Sequence, residues 1–88
     1  MKRWTVVFRA LANINRLKTI KMLASGRKMN VGDIAEDLEI SFKATSNHLA
    51  ILKNLDVLDA QGVEGHVFYS INLQMPKDFQ KIIEIILK

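Results

Sequence analysis

The sequence has no cysteine, a single proline and four glycines in 88 residues. Without thiols there can be no disulfide, no thiolate metal site and no thiol redox sensor, and redox arguments leave the compartment undetermined. No stretch approaches the roughly 18 uninterrupted apolar residues that a membrane-spanning helix needs. The opening "MKRWTVVFRALANINR" puts basic residues before apolar ones, but Arg9 breaks the apolar run and no small-residue cleavage site follows. A secretory signal is therefore not expected, no membrane partner is expected, and the cytoplasm is the default location. Also missing are internal repeats, low-complexity tracts, a glycine-rich phosphate loop and any recognisable Ser/His/Asp arrangement, and the two histidines fall in different elements. These absences argue against an enzyme and against a bound cofactor.

What is present fits one domain over residues 1–88, too short for two independent cores. Hydrophobic residues make up 49% and charged residues 25%, the composition of a globular chain. The net charge of +4 suits a polyanionic partner, and its distribution says more than its sum. Lys2, Arg3, Arg9, Arg16, Lys18, Lys21, Arg27 and Lys28 make the first third almost purely cationic, whereas acidic residues gather in "DIAEDLE" at 33–39. One region could attract phosphate.

The apolar spacing of Trp4, Val7, Phe8 and Leu11, widened by Val6 and Ala10, predicts a first helix. Asn13 can cap a second helix, with Ile14, Leu17, Ile20, Leu23 and Ala24 as its buried face and Gly26 ending it in the left-handed region. Asn30 followed three residues later by Asp33 predicts a third helix over 31–38, with Val31, Ile34, Ala35 and Leu38 inward. Only Glu39 and Ile40 separate it from Ser41, a good cap for a fourth helix reaching about residue 55. Two helices joined by so short a turn must cross steeply, as in a helix-turn-helix. Then "VLDAQGVEGHVFYSINL" reads as a β-hairpin, its two β-prone runs flanking "GVEG". Pro76 is expected as the first residue of a fifth helix with a stripe of Phe79, Ile82, Ile83 and Ile86, broadened by Ile85 and Leu87. The fold class is thus mainly α with a small hairpin: about five helices and a two-stranded wing.

Around the fourth helix, Ala44, Thr45, His48, Leu49, Ile51, Leu52 and Leu55 form one continuous arc. The opposite arc holds Phe42, Lys43, Ser46, Asn47, Ala50, Lys53 and Asn54. It carries no carboxylate, whereas a merely solvated face usually mixes both signs. Its hydroxyl, amide and ammonium groups are of the kinds that bond to base edges and phosphates. Phe42, large and apolar at the exposed start of a helix, would suit contact with a thymine methyl or packing against the preceding turn. His48, inside the apolar arc, reads as a hydrogen-bonded residue at the edge of the core. Trp4, Phe8 and Phe79 read as core or assembly contacts, and His66 as a plain strand residue.

Three pieces, "ALANINRLKTIKML", "VGDIAEDLEIS" and "SNHLAILKNLDVL", resemble the arsenical-resistance repressor (ArsR-type) family of winged helix-turn-helix transcription regulators, and the resemblance spans residues 10–71. It implies a repressor of double-stranded DNA that pairs as a homodimer through the first and last helices and inserts helix four of each subunit into successive major grooves of a palindromic operator. By the same resemblance Phe42, Lys43, Ser46 and Asn47 fall where the family contacts DNA, and helical projection selects the same residues; Ser41 at the helix cap and Lys53 on the outer arc complete the expected DNA-contacting set. The sequence departs from the family in ways that matter. Glu39 and Asp56 stand where the family commonly has glycine, at some cost in stability, and Ile14 replaces a proline, loosening the start of helix two. The wing "QGVEGHVF" has no lysine or arginine, so a strong wing grip on phosphate is not expected. Metal-sensing members use cysteines on helix three or His and Asp pairs on the last helix. Here "NVGDIAEDL" has neither thiol nor imidazole, and Asp78 and Glu84 lie six apart, off the spacings that share a face. No metal site is expected. The competing reading is a winged helix used as a protein-interaction scaffold, without sequence-specific DNA binding.

Overall fold

Three polar residues open three of the helices by the same chemistry: a side-chain oxygen accepts the amides left free in the first turn. Asn13 Oδ1 accepts from the amides of Asn15 and Arg16 at 3.0 and 3.2 Å. Asn30 Oδ1 accepts from Asp33 N at 2.8 Å, and Ser41 Oγ from Ala44 N at 3.0 Å. The computed structural model describes residues 2–87, apart from the side chain of Lys2; Met1 and Lys88, the ends of the domain expected over 1–88, lie outside the described residues. Its elements run α1 (Lys2–Leu11), α2 (Ile14–Leu23), β1 (Met29–Asn30), α3 (Val31–Leu38), α4 (Phe42–Asn54), β2 (Leu58–Val63), β3 (His66–Ile71) and α5 (Lys77–Ile86).

Helices α3 and α4 end alike. Glu39 adopts φ 57°, ψ 41°, and the amide of Ile40 reaches back to the carbonyl of Ala35 at 3.2 Å. Asp56 adopts φ 62°, and the amide of Val57 reaches the carbonyl of Leu52 at 3.0 Å. Each is a left-handed closure followed by an apolar residue that turns back onto the core. Glycine would enter that backbone region freely; a side chain there costs about 1 kcal/mol. The first closure turns the chain from α3 into α4, and the second turns it from α4 into the wing.

The wing is a hairpin whose Val63 and His66 pair directly, leaving Glu64 and Gly65 as its two-residue turn. Both have positive φ, 49° and 82°, which matches the right-handed twist of the strands. The turn is thus tighter than "GVEG" suggested, with Gly62 inside the strand. The sheet also has a third strand: β1 pairs antiparallel with β3, Met29 opposite Tyr69, giving the order β1-β3-β2. A two-residue strand has no alternation to read, so only its pairing defines it. The arrangement is a winged helix-turn-helix.

The core draws Val7 and Leu11 from α1, Ile20 and Leu23 from α2, Ile34 from α3, Leu49 and Leu52 from α4, Val57 and Leu58 from the wing's base, and Phe79 and Ile83 from α5. Each such side chain contributes roughly 1.5–3 kcal/mol through removal from water. Thr19 and Thr45 are fully buried, and each hydroxyl donates to the carbonyl four residues earlier, at 2.8 and 2.9 Å. Three inward expectations and one helix start are corrected. Ile14 is 62% exposed, because the first turn of α2 projects past the core beside the end of α5. Ala24 is exposed beyond the last turn of α2, and Ile51 faces an unfilled recess of about 210 Å³ between α4 and α1. Pro76 is the cap before α5, not its first residue.

Candidate nucleic-acid interface

Helix α4 is fixed along its inner side by Thr45, Leu49 and Leu52, all buried. The opposite side is open. Lys43, Asn47, Ala50, Lys53 and Asn54 are exposed, Ser46 is half-buried, and Phe42 is 63% exposed. Ser41 is exposed too, with its oxygen engaged by Ala44 N and its hydroxyl proton still able to donate. Among the described residues neither Lys43 nor Lys53 forms an ion pair, and α4 has no Asp or Glu. Of the six residues singled out from the sequence, Phe42, Lys43, Ser46, Asn47 and Lys53 therefore lie along one side of one helix, and Ser41 caps its start. Phe42 also lines a recess of about 440 Å³ with Val31 and Gly32 at the start of α3 and His66 and Val67 on the wing. It flanks both the open face and the preceding turn.

The wing brings no cation: β2, its turn and β3 contain Asp59, Glu64 and His66 but no lysine or arginine. His66 sits edge-on to Phe68 at 6.5 Å between ring centroids.

Arg16 departs from the sequence reading, which counted it among the cations available to phosphate. Its guanidinium is used internally. Nε donates to the carbonyl of Ala10 at 2.6 Å and Nη2 to that of Arg9 at 3.2 Å, while Nη1 donates to Nδ1 of His48 at 3.2 Å. The first two contacts cap the C-terminal carbonyls of α1, where a cation also favours the helix dipole. The third makes Nδ1 the acceptor, so the ring proton resides on Nε2. Burial and the adjacent guanidinium hold His48 below the ordinary histidine value of 6.5. His48 is thus hydrogen-bonded at the edge of the core. A signal for Arg16 existed in the sequence: a cation in a helix's first turn opposes the dipole and calls for a partner.

The other end of α1 is tied to α5. Arg3 Nε donates to Asp78 Oδ2 at 2.5 Å, and its guanidinium lies over the Phe79 ring, 5.3 Å from the centroid. The hydrogen bond from Arg3 holds Asp78 below the usual carboxylate range. Alongside this tie, Trp4 stacks on Phe8 with centroids 5.8 Å apart. Trp4 and Phe8 are not core: Phe8 is 56% exposed, and on α5 Ile85 is 64% exposed. Phe79, by contrast, is fully buried. Among the described residues no group of three or more His, Asp or Glu side chains could hold a metal. Asp78 is committed to Arg3, and Glu84 accepts from Gln80. No helix among the described residues is long and apolar enough to cross a membrane.

Comparison with known proteins places this geometry. The family model described as "Bacterial regulatory protein, arsR family" matches residues 13–60. The transcriptional repressor SdpR of Bacillus subtilis (strain 168) is 36% identical over 72 residues, covering 82% of this chain and 79% of SdpR. The cadmium resistance transcriptional regulatory protein CadC of Listeria innocua is 38% identical over 64 residues, 73% of this chain and 54% of CadC, so this chain spans about half that relative's length. Among solved structures, HlyU from Vibrio cholerae N16961, a protein named as a transcriptional activator, superposes with a TM-score of 0.79 at 28% identity, covering 97% of this chain and 88% of that one.

Proposed function

Since the chain belongs to the arsR family of bacterial regulatory proteins, which are transcription regulators that bind DNA, we propose that it represses transcription as a homodimer on a palindromic operator and senses no metal. The observation that carries this reading is the open face of α4: ammonium groups at Lys43 and Lys53, without ion pairs among the described residues, flank Asn47 and Ser46, with no carboxylate on the helix. Ser46 and Asn47, one turn into the helix, reach base edges as short polar readers. Phe42 meets a thymine methyl. Ser41, Lys43 and Lys53 contact phosphate and set the register. The two copies pair through α1 and α5, whose exposed Trp4, Phe8 and Ile85 would otherwise remain in water. The non-metal reading is supported by the donor set, since there is no cysteine and the histidines lie apart, one bound to Arg16 and the other on the wing. Regulation of this kind takes place in the cytoplasm.

Selection of duplexes from a random pool, followed by salt titration, tests the proposal. It predicts one palindromic consensus, bound with an affinity that falls steeply with salt. Weak binding with no sequence preference would instead mark an interaction scaffold. Calorimetry with zinc, cobalt and arsenite should show no tight stoichiometric site, and none of the three should release the DNA.

A further inference from the structure

One side chain joins the helix that carries the assembly face to the helix that carries the reading face. Arg16, half-buried in the first turn of α2, grips the last carbonyls of α1 with Nε and Nη2 and the ring of His48 with Nη1. His48 follows Asn47 directly on the same helix, so a rotation of α4 held at His48 is a rotation of the reader beside it. The recess that Arg16 lines, between Val6 and Ala10 on one side and Ile51 and Leu55 on the other, is open to solvent. Apolar packing therefore leaves the α1–α4 angle underdetermined at this point, and the bridge supplies the missing constraint.

We propose that Arg16, acting through His48, is a positioning residue for operator reading: it fixes the rotation of α4 relative to α1, and so the placement of each reading helix relative to the dimer axis. This rests on the reading of α4 as the recognition helix and α1 as part of the dimer face. Two readers joined to one axis must enter successive major grooves at a set spacing, so a small rotation at each degrades fit to the palindrome. Binding to arbitrary DNA needs only phosphate contacts and tolerates the rotation.

The bridge requires an unprotonated His48, since Nδ1 must accept. A proton there removes the acceptor and sets imidazolium against guanidinium. The surrounding charges offer no relief: α1, α2 and α4 contain no Asp or Glu, and the nearby charged side chains are Arg9 and Arg16. Elements α3 and β2 also pack on α4, but their Asp33, Glu36, Asp37 and Asp59 are exposed. Burial and Arg16 hold His48 below 6.5, so the bridge is intact at neutral pH and opens on acidification. Operator-bound protein thus carries fewer protons at His48 than a form with the bridge broken, and affinity falls as pH drops below 6.5. A histidine that touched phosphate would produce the opposite slope.

The test measures affinity for a duplex selected by the protein from a random pool and for a scrambled duplex, from about pH 8 to about pH 5.5. All proteins carry His66→Gln, leaving His48 as the one imidazole. Arg16→Met should weaken operator binding roughly 2- to 30-fold, the range for residues that couple sites without touching the ligand, with little change on scrambled duplex or in salt slope. His48→Leu, which keeps an apolar side chain at the edge of the core but has no acceptor, should do the same at neutral pH if Arg16→Met does not fold. His48→Asn, whose Oδ1 can still accept from Arg16, should retain neutral-pH affinity and lose the acid dependence. Full operator affinity in His48→Leu, or binding that tightens on acidification, would overturn the proposal while leaving α4 as reader. No operator preference in the unsubstituted protein would overturn both.

Discussion

Helices α1 and α4 both leave large apolar side chains in water, and they do so differently. On α1, Trp4, Val6 and Phe8 lie within five residues of one another, with two of the rings stacked, and α5 runs alongside with Ile85 and Ile86 exposed. The two helices are tied at their N-terminal ends by Arg3 and Asp78, and Ile86 lines a recess with Ile14 just beyond α1. On α4 the exposed Phe42 and Ile51 stand nine positions apart, Phe42 on the face that carries Lys43, Asn47, Lys53 and Asn54 and Ile51 at the recess beside α1. A contiguous apolar patch gains most when covered by another apolar surface, while scattered apolar groups among unpaired donors suit a wet, charged partner. Exposure alone does not separate the two proposed roles, assembly and nucleic-acid reading. The contrast in arrangement is what supports assigning them to different helices.

Four substitutions or conditions probe that contrast, beginning with the one that should erase it. Leu49→Ala removes a fully buried side chain beneath the reading face and should destabilise the protein by roughly 2–5 kcal/mol, measured by urea denaturation. Its effects on DNA binding and assembly should follow from unfolding alone. Phe8→Glu strikes the proposed assembly face and should weaken dimerisation by about 2–4 kcal/mol, the range for a central interface aromatic. Light scattering at micromolar concentration should shift from a dimer toward the 10.0 kDa monomer mass, with the fold intact by circular dichroism. If the unsubstituted protein already scatters as a monomer, the assembly half of the contrast is lost.

A smaller effect is expected at the turn that aims α4. Glu39→Gly relieves the left-handed strain at φ 57° and should stabilise the fold by about 1 kcal/mol with no loss of DNA binding. The smallest effect concerns the α1–α5 tie. Arg3 depresses Asp78, so the unfolded chain takes up this proton more readily than the folded one. The stability it supplies is complete above the ordinary value of 3.8 and is lost as pH falls from there through the folded value. Asp78→Asn should flatten that acid limb of a denaturation series.

Much of this molecule was legible in its sequence because its local signals agree. Asn13, Asn30 and Ser41 each announced a helix start, and each caps one. Glu39 and Asp56 were expected to take glycine-like conformations, and both have positive φ. The open face of α4 followed from helical periodicity, which fixes the mutual placement of residues on one element. What was missed depends on contacts between elements. Strand β1 exists through pairing with Tyr69 and Phe68, some forty residues away. The exposure of Ile14 and Ile51 depends on which neighbour covers which turn, and an apolar stripe does not state its own width. Arg16 looked like a surface cation because nothing in a linear reading shows that the end of α1 returns within its reach.

The central claim, that the outer face of α4 reads base sequence, is tested most directly by Asn47→Ala. Binding would be measured on the selected operator and on a scrambled duplex, at about 50 mM and about 200 mM salt. The predicted loss is roughly 1–3 kcal/mol on the operator and little on the scrambled duplex, with an unchanged salt slope. Lys43→Ala and Lys53→Ala, measured alongside, should weaken both duplexes and reduce the slope by about one unit each. If Asn47→Ala and Ser46→Ala both kept the full operator preference in a folded protein, α4 would not be the reader and its polar face would be ordinary solvated surface.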